Sequence, residues 1–283
     1  MGCNSTKERG MMMQGKKIQD KDKSKLEIKQ HTILIGDSIS ILDQVPDNSC
    51  RLVFADPPYN MGKNFGNNKD KWVSGEDYAK WCMEWIDKCI DKMTDDGSIM
   101  IMGHPRFSAY LIPYLDKKLH YVNQIIYYYT DGMPEKKNFE RRYEVIMYYR
   151  NNENDFVFNV EDVRIPLKRY DKTSNPKGKN PNDVWEINRV RWNSKERINM
   201  DNGKIAHLAQ KPIRLLRRII LSTTNKGDTV LDPFLGTGTT SVASKELSRC
   251  SYGIELNPEY AEIAKHRLSN TKKITGDLDF DKR

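Results

Sequence analysis

Short apolar runs alternate with helix-length amphipathic segments at both ends of this 283-residue chain, and that alternation restricts its fold more than any other feature. Residues 32–35, 51–55, 98–102, 228–232 and 251–255 read as buried strands. Residues 39–45, 78–93, 211–223, 238–247 and 258–268 read as helices between them. Parallel neighbours need a crossover, usually a helix, so the pattern predicts an α/β fold: a doubly wound, mostly parallel sheet with helices on both faces. In 78–93 a stripe of Tyr78, Trp81, Cys82, Trp85, Ile86, Cys89, Ile90 and Met93 recurs at helical spacing, and is expected to be core.

The alternation fails in two places. Residues 1–27 are polar, Lys-rich and aperiodic, the composition of a disordered tail. Its start, Met1-Gly2-Cys3-Asn4-Ser5-Thr6, fits the loose N-myristoylation pattern, which recurs often by chance. Residues 131–205 are basic and rich in Asn and Pro, carrying Lys136, Lys137, Arg141, Arg142, Arg189 and Arg191 with Trp185 and Trp192 among them. The chain therefore divides into a tail (1–27), a first half-domain (28–130), a basic insert (131–205) and a second half-domain (206–283).

A formal net charge of +8 and a pI near 9.0 favour an acidic partner, nucleic acid before membrane. No apolar run approaches membrane-spanning length, and the N-terminus lacks the apolar core of a signal peptide. Five cysteines without a Cys-x-x-Cys pair predict reduced thiols in an intracellular protein, neither a disulfide framework nor a metal site.

Two strand ends carry the chemistry. Residues 54–60, Phe-Ala-Asp-Pro-Pro-Tyr-Asn, end a strand with an acid, two prolines and an aromatic. A bare Asp-Pro-Pro is ordinarily a strand-ending turn, because proline removes a ladder donor and fixes φ. Residues 232–240, Asp-Pro-Phe-Leu-Gly-Thr-Gly-Thr-Thr, lead from a strand into a helix. Glycines there let the backbone approach a ligand, and the helix start offers unpaired N–H groups. The absent Gly-Lys-Ser/Thr disfavours Walker-type phosphate binding. The following strand ends in Glu255, whose two oxygens suit the two hydroxyls of a ribose.

Together, Ala-Asp-Pro-Pro-Tyr-Asn and Leu-Asp-Pro-Phe-Leu-Gly-Thr-Gly-Thr-Thr resemble the S-adenosylmethionine-dependent amino-methyltransferases of DNA, which modify N6 of adenine or N4 of cytosine. The catalytic motif precedes the cofactor motif, with a basic segment between, an order that resembles the permuted β class. Gly36-Asp37-Ser38, Ala206 to Pro212 and the segment 175–186 match further parts of that pattern, and the likeness covers about residues 28–270. It implies a circularly permuted Rossmann-like methyltransferase fold: a catalytic half, a target-recognition region and a cofactor-binding half. In the unpermuted order the Gly-loop strand and the strands ending at Glu255, Asp37 and Asp56 would be consecutive, their carboxyl ends on one edge.

The resemblance implies a catalytic turn of Asp56, Pro57, Pro58 and Tyr59. Asp56 and the Pro57 carbonyl would accept the two N–H groups of an exocyclic amine, and Tyr59 would stack an extruded base. It also assigns the cofactor to Asp37, Asp56, Lys211, Asp232, Pro233, Phe234, Gly236, Gly238, Thr239 and Glu255. Asp37 would take its adenine, Glu255 its ribose, and Gln210 and Lys211 would sit near its carboxylate. His207 reads either as a hydrogen-bonding residue at a helix start or as a ligand or base. Lys136, Lys137, Arg141, Arg142, Arg189 and Arg191 are the expected DNA contacts, while Arg214, Arg217 and Arg218 are expected to be solvated. Asp131-Gly132 stand where relatives carry Asn-Pro. Asp at position 56 leans to adenine-N6 transfer in double-stranded DNA. A cytosine-N4 enzyme is the alternative, ahead of an RNA methyltransferase or a dead DNA-binding module. Chemistry at C5 of cytosine would need a Pro-Cys nucleophile, which the chain lacks. The implied setting is a prokaryotic restriction-modification system in the cytoplasm, with a homodimer and a cognate endonuclease as further partners.

Overall fold

The computed structural model describes residues 25–28, 30–62, 64–65, 68–132, 135–191, 193–198 and 209–274. The tail to residue 24 with its acylation pattern, Met133, Pro134, Trp192 and His207 lie outside the described residues.

The first half of the chain forms β1 (Lys25–Ile28), β2 (His31–Ile35), α1 (Ser38–Ile41) with a 3-10 turn at Leu42–Gln44, and β3 (Cys50–Ala55). A two-stranded hairpin, β4 (Asn64–Phe65) and β5 (Asn68–Lys69), precedes α2 (Gly75–Lys92), β6 (Met93–Gly103), α3 (Pro105–Leu115) and β7 (His120–Tyr128). Then come β8 (Tyr143–Arg150), the single turn α4 (Val160–Val163) and β9 (Val184–Glu186). The chain continues with α5 (Ile213–Thr223), β10 (Thr229–Asp232), α6 (Thr239–Glu246), β11 (Cys250–Glu255) and α7 (Pro258–Asn270).

Among the described residues nine strands make one sheet in the order β1-β2-β11-β10-β3-β6-β8-β7-β9. The neighbours from β2 to β6 are parallel. β8 runs antiparallel to β6 and β7, β9 parallel to β7, and β1 antiparallel to β2. Although β2 and β3 follow one another in the chain, β11 and β10 lie between them, so the sheet keeps the arrangement of the unpermuted fold while the chain runs through it in permuted order. From β10 the sheet grows one way through β11 and the other way through β3. Such a switch point opens a crevice at the carboxyl strand ends, where open α/β sheets bind ligands.

Strand alternation sorts the core onto two faces. Val53, Ala55, Ile99, Ile101 and Leu231 pack beneath α2 and α3 against Cys82, Trp85, Ile86, Cys89 and Leu111. Leu52, Phe54, Met100, Met102 and Val230 face the other way, onto Leu216, Ile219 and Ile220 of α5 and Ala243 of α6. α7 is seated by Ala261, Ala264 and Leu268 on Ile33 and Leu235. Each fully buried large side chain contributes about 1.5–3 kcal/mol from burial, so the layers hold the strand ends rigidly.

The segment 131–205, expected as a basic target-recognition insert, also contributes β8 to the main sheet, with Val145 to Tyr149 buried. A basic loop before β8 and a polar segment after it masked a short, two-face-buried strand in the composition. Arg218, expected in solvent, is buried with its guanidinium 5.1 Å from the Trp185 ring, and Arg217 pairs with both Glu246 oxygens at 2.9 Å. β9 places Trp185 over α5, which closes that face above the arginine. Among the described residues the cysteines are free thiols, and no helix is long and apolar enough to cross a membrane.

Candidate active site

β3 delivers Asp56 to the carboxyl edge, and the residues after it hold the turn in one shape. Asn60 adopts φ 55°, a left-handed conformation that Asn tolerates, and its Oδ1 accepts the Trp72 N–H at 2.8 Å. Asp70, buried, accepts the backbone N–H groups of Tyr59 and Met61, each at 3.2 Å. The Tyr78 hydroxyl donates to the Pro58 carbonyl at 2.8 Å. The prolines therefore sit in a turn braced from three sides.

Asp56 belongs to a cluster of four polar side chains in which Glu144 is buried and Asp56, Tyr59 and Lys211 are half-buried. Lys211 Nζ lies 2.9 Å from Asp56 Oδ2 and 3.3 Å from Glu144 Oε2. The single Tyr59 hydroxyl proton is within reach of Asp56 Oδ1 and of Glu144 Oε2, the latter at 3.0 Å. Burial raises the Asp56 carboxyl above the usual carboxylate range; Lys211 opposes this and Glu144 reinforces it. Burial also pushes Glu144 upward, but Lys211 and the Tyr59 hydroxyl outweigh it and hold Glu144 below its ordinary value. Burial disfavours the Lys211 ammonium, yet the two carboxylates keep it charged. Tyr59 stays a neutral donor, its phenol pushed up by burial and both acids. Asp56 is thus the weaker acid of the pair and the better proton acceptor.

Across the cavity, the strand-to-helix loop after β10 is shaped by its own acids. Asp232 is buried; one oxygen accepts the Phe234 N–H at 2.9 Å and the other the Thr240 hydroxyl at 2.5 Å. Burial pushes its carboxyl up to about 7. Gly238 has φ 87°, and a Cβ there would stand 2.6 Å from Ala264 Cβ and 2.9 Å from Ala264 Cα, so the loop can lie against α7 only with glycine. Glu255 Oε2 accepts the Gly236 N–H at 2.7 Å and Oε1 the Asn257 N–H at 2.8 Å, and burial raises its carboxyl. Asp37 is exposed and caps α1 through Ile39 and Ser40. Phe234 packs on Trp81 and Trp85, with ring centroids 5.7 and 5.1 Å away.

One cavity of about 860 Å³ joins these parts; Asp37, Asp56 to Tyr59, Lys211, Asp232 to Gly236, Thr239 and Glu255 all line it. Gly238 shapes the loop from behind. Lys211, expected near a cofactor carboxylate, is bound to the Asp56 pair. The start of α5 is occupied by Glu196, which accepts the Ile213 N–H and whose backbone carbonyl takes the Gln210 amide at 2.8 Å. Tyr59, expected to offer its ring as a stacking face, points its hydroxyl into the cluster with Lys211 Nζ 5.3 Å from the ring centroid.

Arg189 and Arg191 also reach the cavity, held by Asp131 Oδ2 at 3.4 and 4.0 Å, and Arg189 stacks 4.4 Å from the Tyr129 ring centroid. Lys136, Lys137 and Arg141 lie exposed on the loop between β7 and β8, where Arg142 pairs with Glu140. Sequence reasoning missed Glu144, Asp70 and Trp81 as parts of the site. Glu144 left one signal, an acid opening an otherwise apolar strand; Trp81 belonged to a stripe whose neighbours Cys82 and Trp85 are fully buried core.

The N6_N4_Mtase family, described as DNA methylase, matches residues 50–266 of the chain. The type II methyltransferase M.HpaI of Haemophilus parainfluenzae is 33% identical over 240 residues, 84% of this chain and 74% of that protein. The DNA adenine methyltransferase YhdJ of Escherichia coli K12 is 35% identical over 254 residues, 84% of this chain and 82% of its own. Among solved structures, the cytosine-N4-specific PvuII DNA methyltransferase superposes with a TM-score of 0.67 at 19% identity, covering 89% of each chain, a likeness of fold. M1.HpyAVI, solved as a complex with S-adenosylmethionine, gives 0.58 at 25% identity over 84% of this chain and all of its own.

Proposed function

The chain belongs to the N6/N4 DNA methylase family, and from that premise we propose that it transfers a methyl group from S-adenosylmethionine to N6 of adenine in duplex DNA, at Asp56. The observation that carries this reading is one cavity shared by a braced acidic turn and a glycine loop flanked by Asp232 and Glu255. Its volume falls within the roughly 300–1,000 Å³ of ordinary cofactor sites. The donor set fits: Asp232 for an ammonium group, Glu255 for a ribose diol, Asp37 for an adenine amine, and a glycine backbone for close approach. When bound, the cofactor supplies a sulfonium methyl whose C–S bond breaks as the N–C bond to the target forms.

This chain's residues localise and orient the amine. Asp56 accepts one N–H and the Pro57 carbonyl the other, drawing the nitrogen lone pair out of ring conjugation. Because Asn60, Asp70 and Tyr78 brace the turn, these acceptors are preorganised. The methylated nitrogen gives up one proton, and Asp56, its carboxyl raised, accepts it. Glu144 retains Lys211 and the Tyr59 hydroxyl while Asp56 turns to the amine. Arg189, Arg191 and the loop cations Lys136, Lys137 and Arg141 are the DNA contacts of this reading, within a target-recognition region over 131–205. A homodimer, a cognate restriction endonuclease and the cytoplasm of a prokaryotic cell complete it.

Expression in a methylation-free bacterial host, followed by base-resolution mapping of its genome, is expected to return N6-methyladenine in one sequence context. N4-methylcytosine would overturn the choice of base, and an unmodified genome the activity.

Asp232 supplies a pH signature. Its ionised form is needed to hold the cofactor ammonium, so affinity is expected to rise roughly eightfold between pH 6.0 and 7.5, as a carboxyl titrating at about 7 gives up its proton. The ligand-free fold moves oppositely: its Asp232 carboxyl holds a proton that the unfolded chain releases near pH 4, so stability falls as pH rises from there to about 7. Calorimetric titration at both pH values checks the first statement; equal affinities would remove Asp232 from the ammonium site.

A further inference from the structure

The most exposed aromatic side chain among the described residues stands on a basic loop of the catalytic edge. Phe139 is fully exposed, flanked by Lys136, Lys137, Arg141 and Arg142. The topology fixes where this loop hangs. β6 is parallel to β3, and β7 runs with β6 because both are antiparallel to β8, so the carboxyl end of β7 lies on the same edge as Asp56. The loop at the start meets the cavity through Asp131 and Gly132. At its end the Arg142 side chain lies against Gly132 so closely that a Cβ there would strike it. Phe139 is three residues from Arg142, a span of at most about 11 Å, which keeps the ring on this edge within reach of the cavity mouth.

The loop is built to present its tip. Glu135 Oε1 accepts the N–H groups of Lys136 at 2.8 Å and Lys137 at 3.0 Å, and Glu140 Oε1 accepts the Glu135 N–H at 3.0 Å. Both acids are spent on bracing the backbone, which leaves the exposed lysines for an anionic surface. An apolar ring held in water beside cations, at the mouth of a site that must receive an extruded base, has the chemistry of a side chain that enters a base stack.

We propose that Phe139 is a wedge that enters duplex DNA beside the target base and occupies the space this base leaves on moving into the Asp56 cavity. Lys136, Lys137 and Arg141 set its depth by contacting phosphates on either side. The inference rests on the methyltransferase reading above and goes beyond it, since it concerns how the base is brought out rather than what is done to it.

The test uses duplexes carrying the sequence context that genome mapping returns, with the target either normally paired or opposite an abasic site. Phe139→Ala is expected to lower kcat on the paired duplex roughly tenfold or more, the scale set by unstacking one base step. On the duplex whose target is already unpaired, the deficit is expected to shrink below about twofold, and Phe139→Leu, which keeps an apolar wedge, retains most of the paired-duplex rate. Unchanged turnover by Phe139→Ala on the paired duplex, or equal losses on both duplexes, would overturn the wedge and leave the methyltransferase reading standing. Wild-type protein that modifies no base overturns both. Phe139 has no packing to lose, so its variants fold as the parent does.

Discussion

Asp56→Ala is expected to lower methyl transfer by roughly three orders of magnitude or more, while cofactor affinity changes by less than about twofold. Removing one preorganised polar group that acts only on developing charge costs about 10²–10³ in rate elsewhere, and Asp56 is here both that group and the proton acceptor. The fold should survive. Glu144 still pairs with Lys211 at 3.3 Å and still accepts the Tyr59 hydroxyl at 3.0 Å, so the truncated cluster keeps one ammonium against one carboxylate. Single-turnover transfer of labelled methyl groups, thermal melts and a cofactor titration on the same preparation separate the outcomes. Transfer within tenfold of the parent would refute the catalytic assignment. Loss of cofactor affinity with transfer would move Asp56 from the base to the cofactor.

The second large effect is on stability. Lys211→Met keeps the volume of a side chain only 11% exposed but leaves Asp56 and Glu144 facing each other with one phenolic proton between them. Breaking a buried pair by removing one partner costs about 3–5 kcal/mol, enough to lower Tm by about 10 °C in a domain of this size. The sign of its pH dependence is fixed. Without the ammonium one of the two carboxyls takes a proton, so its folded pKa rises above the unfolded value near 4. The variant's stability is then fullest below that unfolded value and falls as pH rises through the raised one. Melts at pH 5, 7 and 8 should show the gap to the parent widening with pH. A gap that is constant across this range would mean that Lys211 contributes packing rather than charge.

Asp37, Asp56, Asp232 and Glu255 were legible from the sequence because each closes or follows a central parallel strand, whose two-sided burial leaves an uninterrupted apolar run ending in an acid. β2, β3, β10 and β11 lie within one or two residues of their expected bounds for the same reason. β6 was read as 98–102, yet it begins at Met93, since Thr94 to Gly97 carry no apolar signal. Glu144 was invisible because its meaning depends on Tyr59, 85 positions away, and on Lys211 from the other half of the chain. Asp70 looked like one more polar loop residue until its carboxylate met the backbone of Tyr59 and Met61. Periodicity reports which elements form; it does not report which side chains from distant elements meet.

The placement of β10 and β11 between β2 and β3 also sets an order of events at the ribosome. While β2 and β3 emerge, neither has its native neighbour on the facing side, because those neighbours, β11 and β10, are translated roughly 180–220 residues later. At about 5–20 residues per second that delay is on the order of ten to forty seconds. During it the growing chain exposes two unpaired strand edges flanked by Val, Leu and Ile, surfaces that invite pairing with other chains. The centre of the sheet is thus the last part to close. Catalytic competence should therefore appear abruptly once β10 and β11 have been made, and a nascent chain stalled before Thr229 should depend on chaperones to stay in solution.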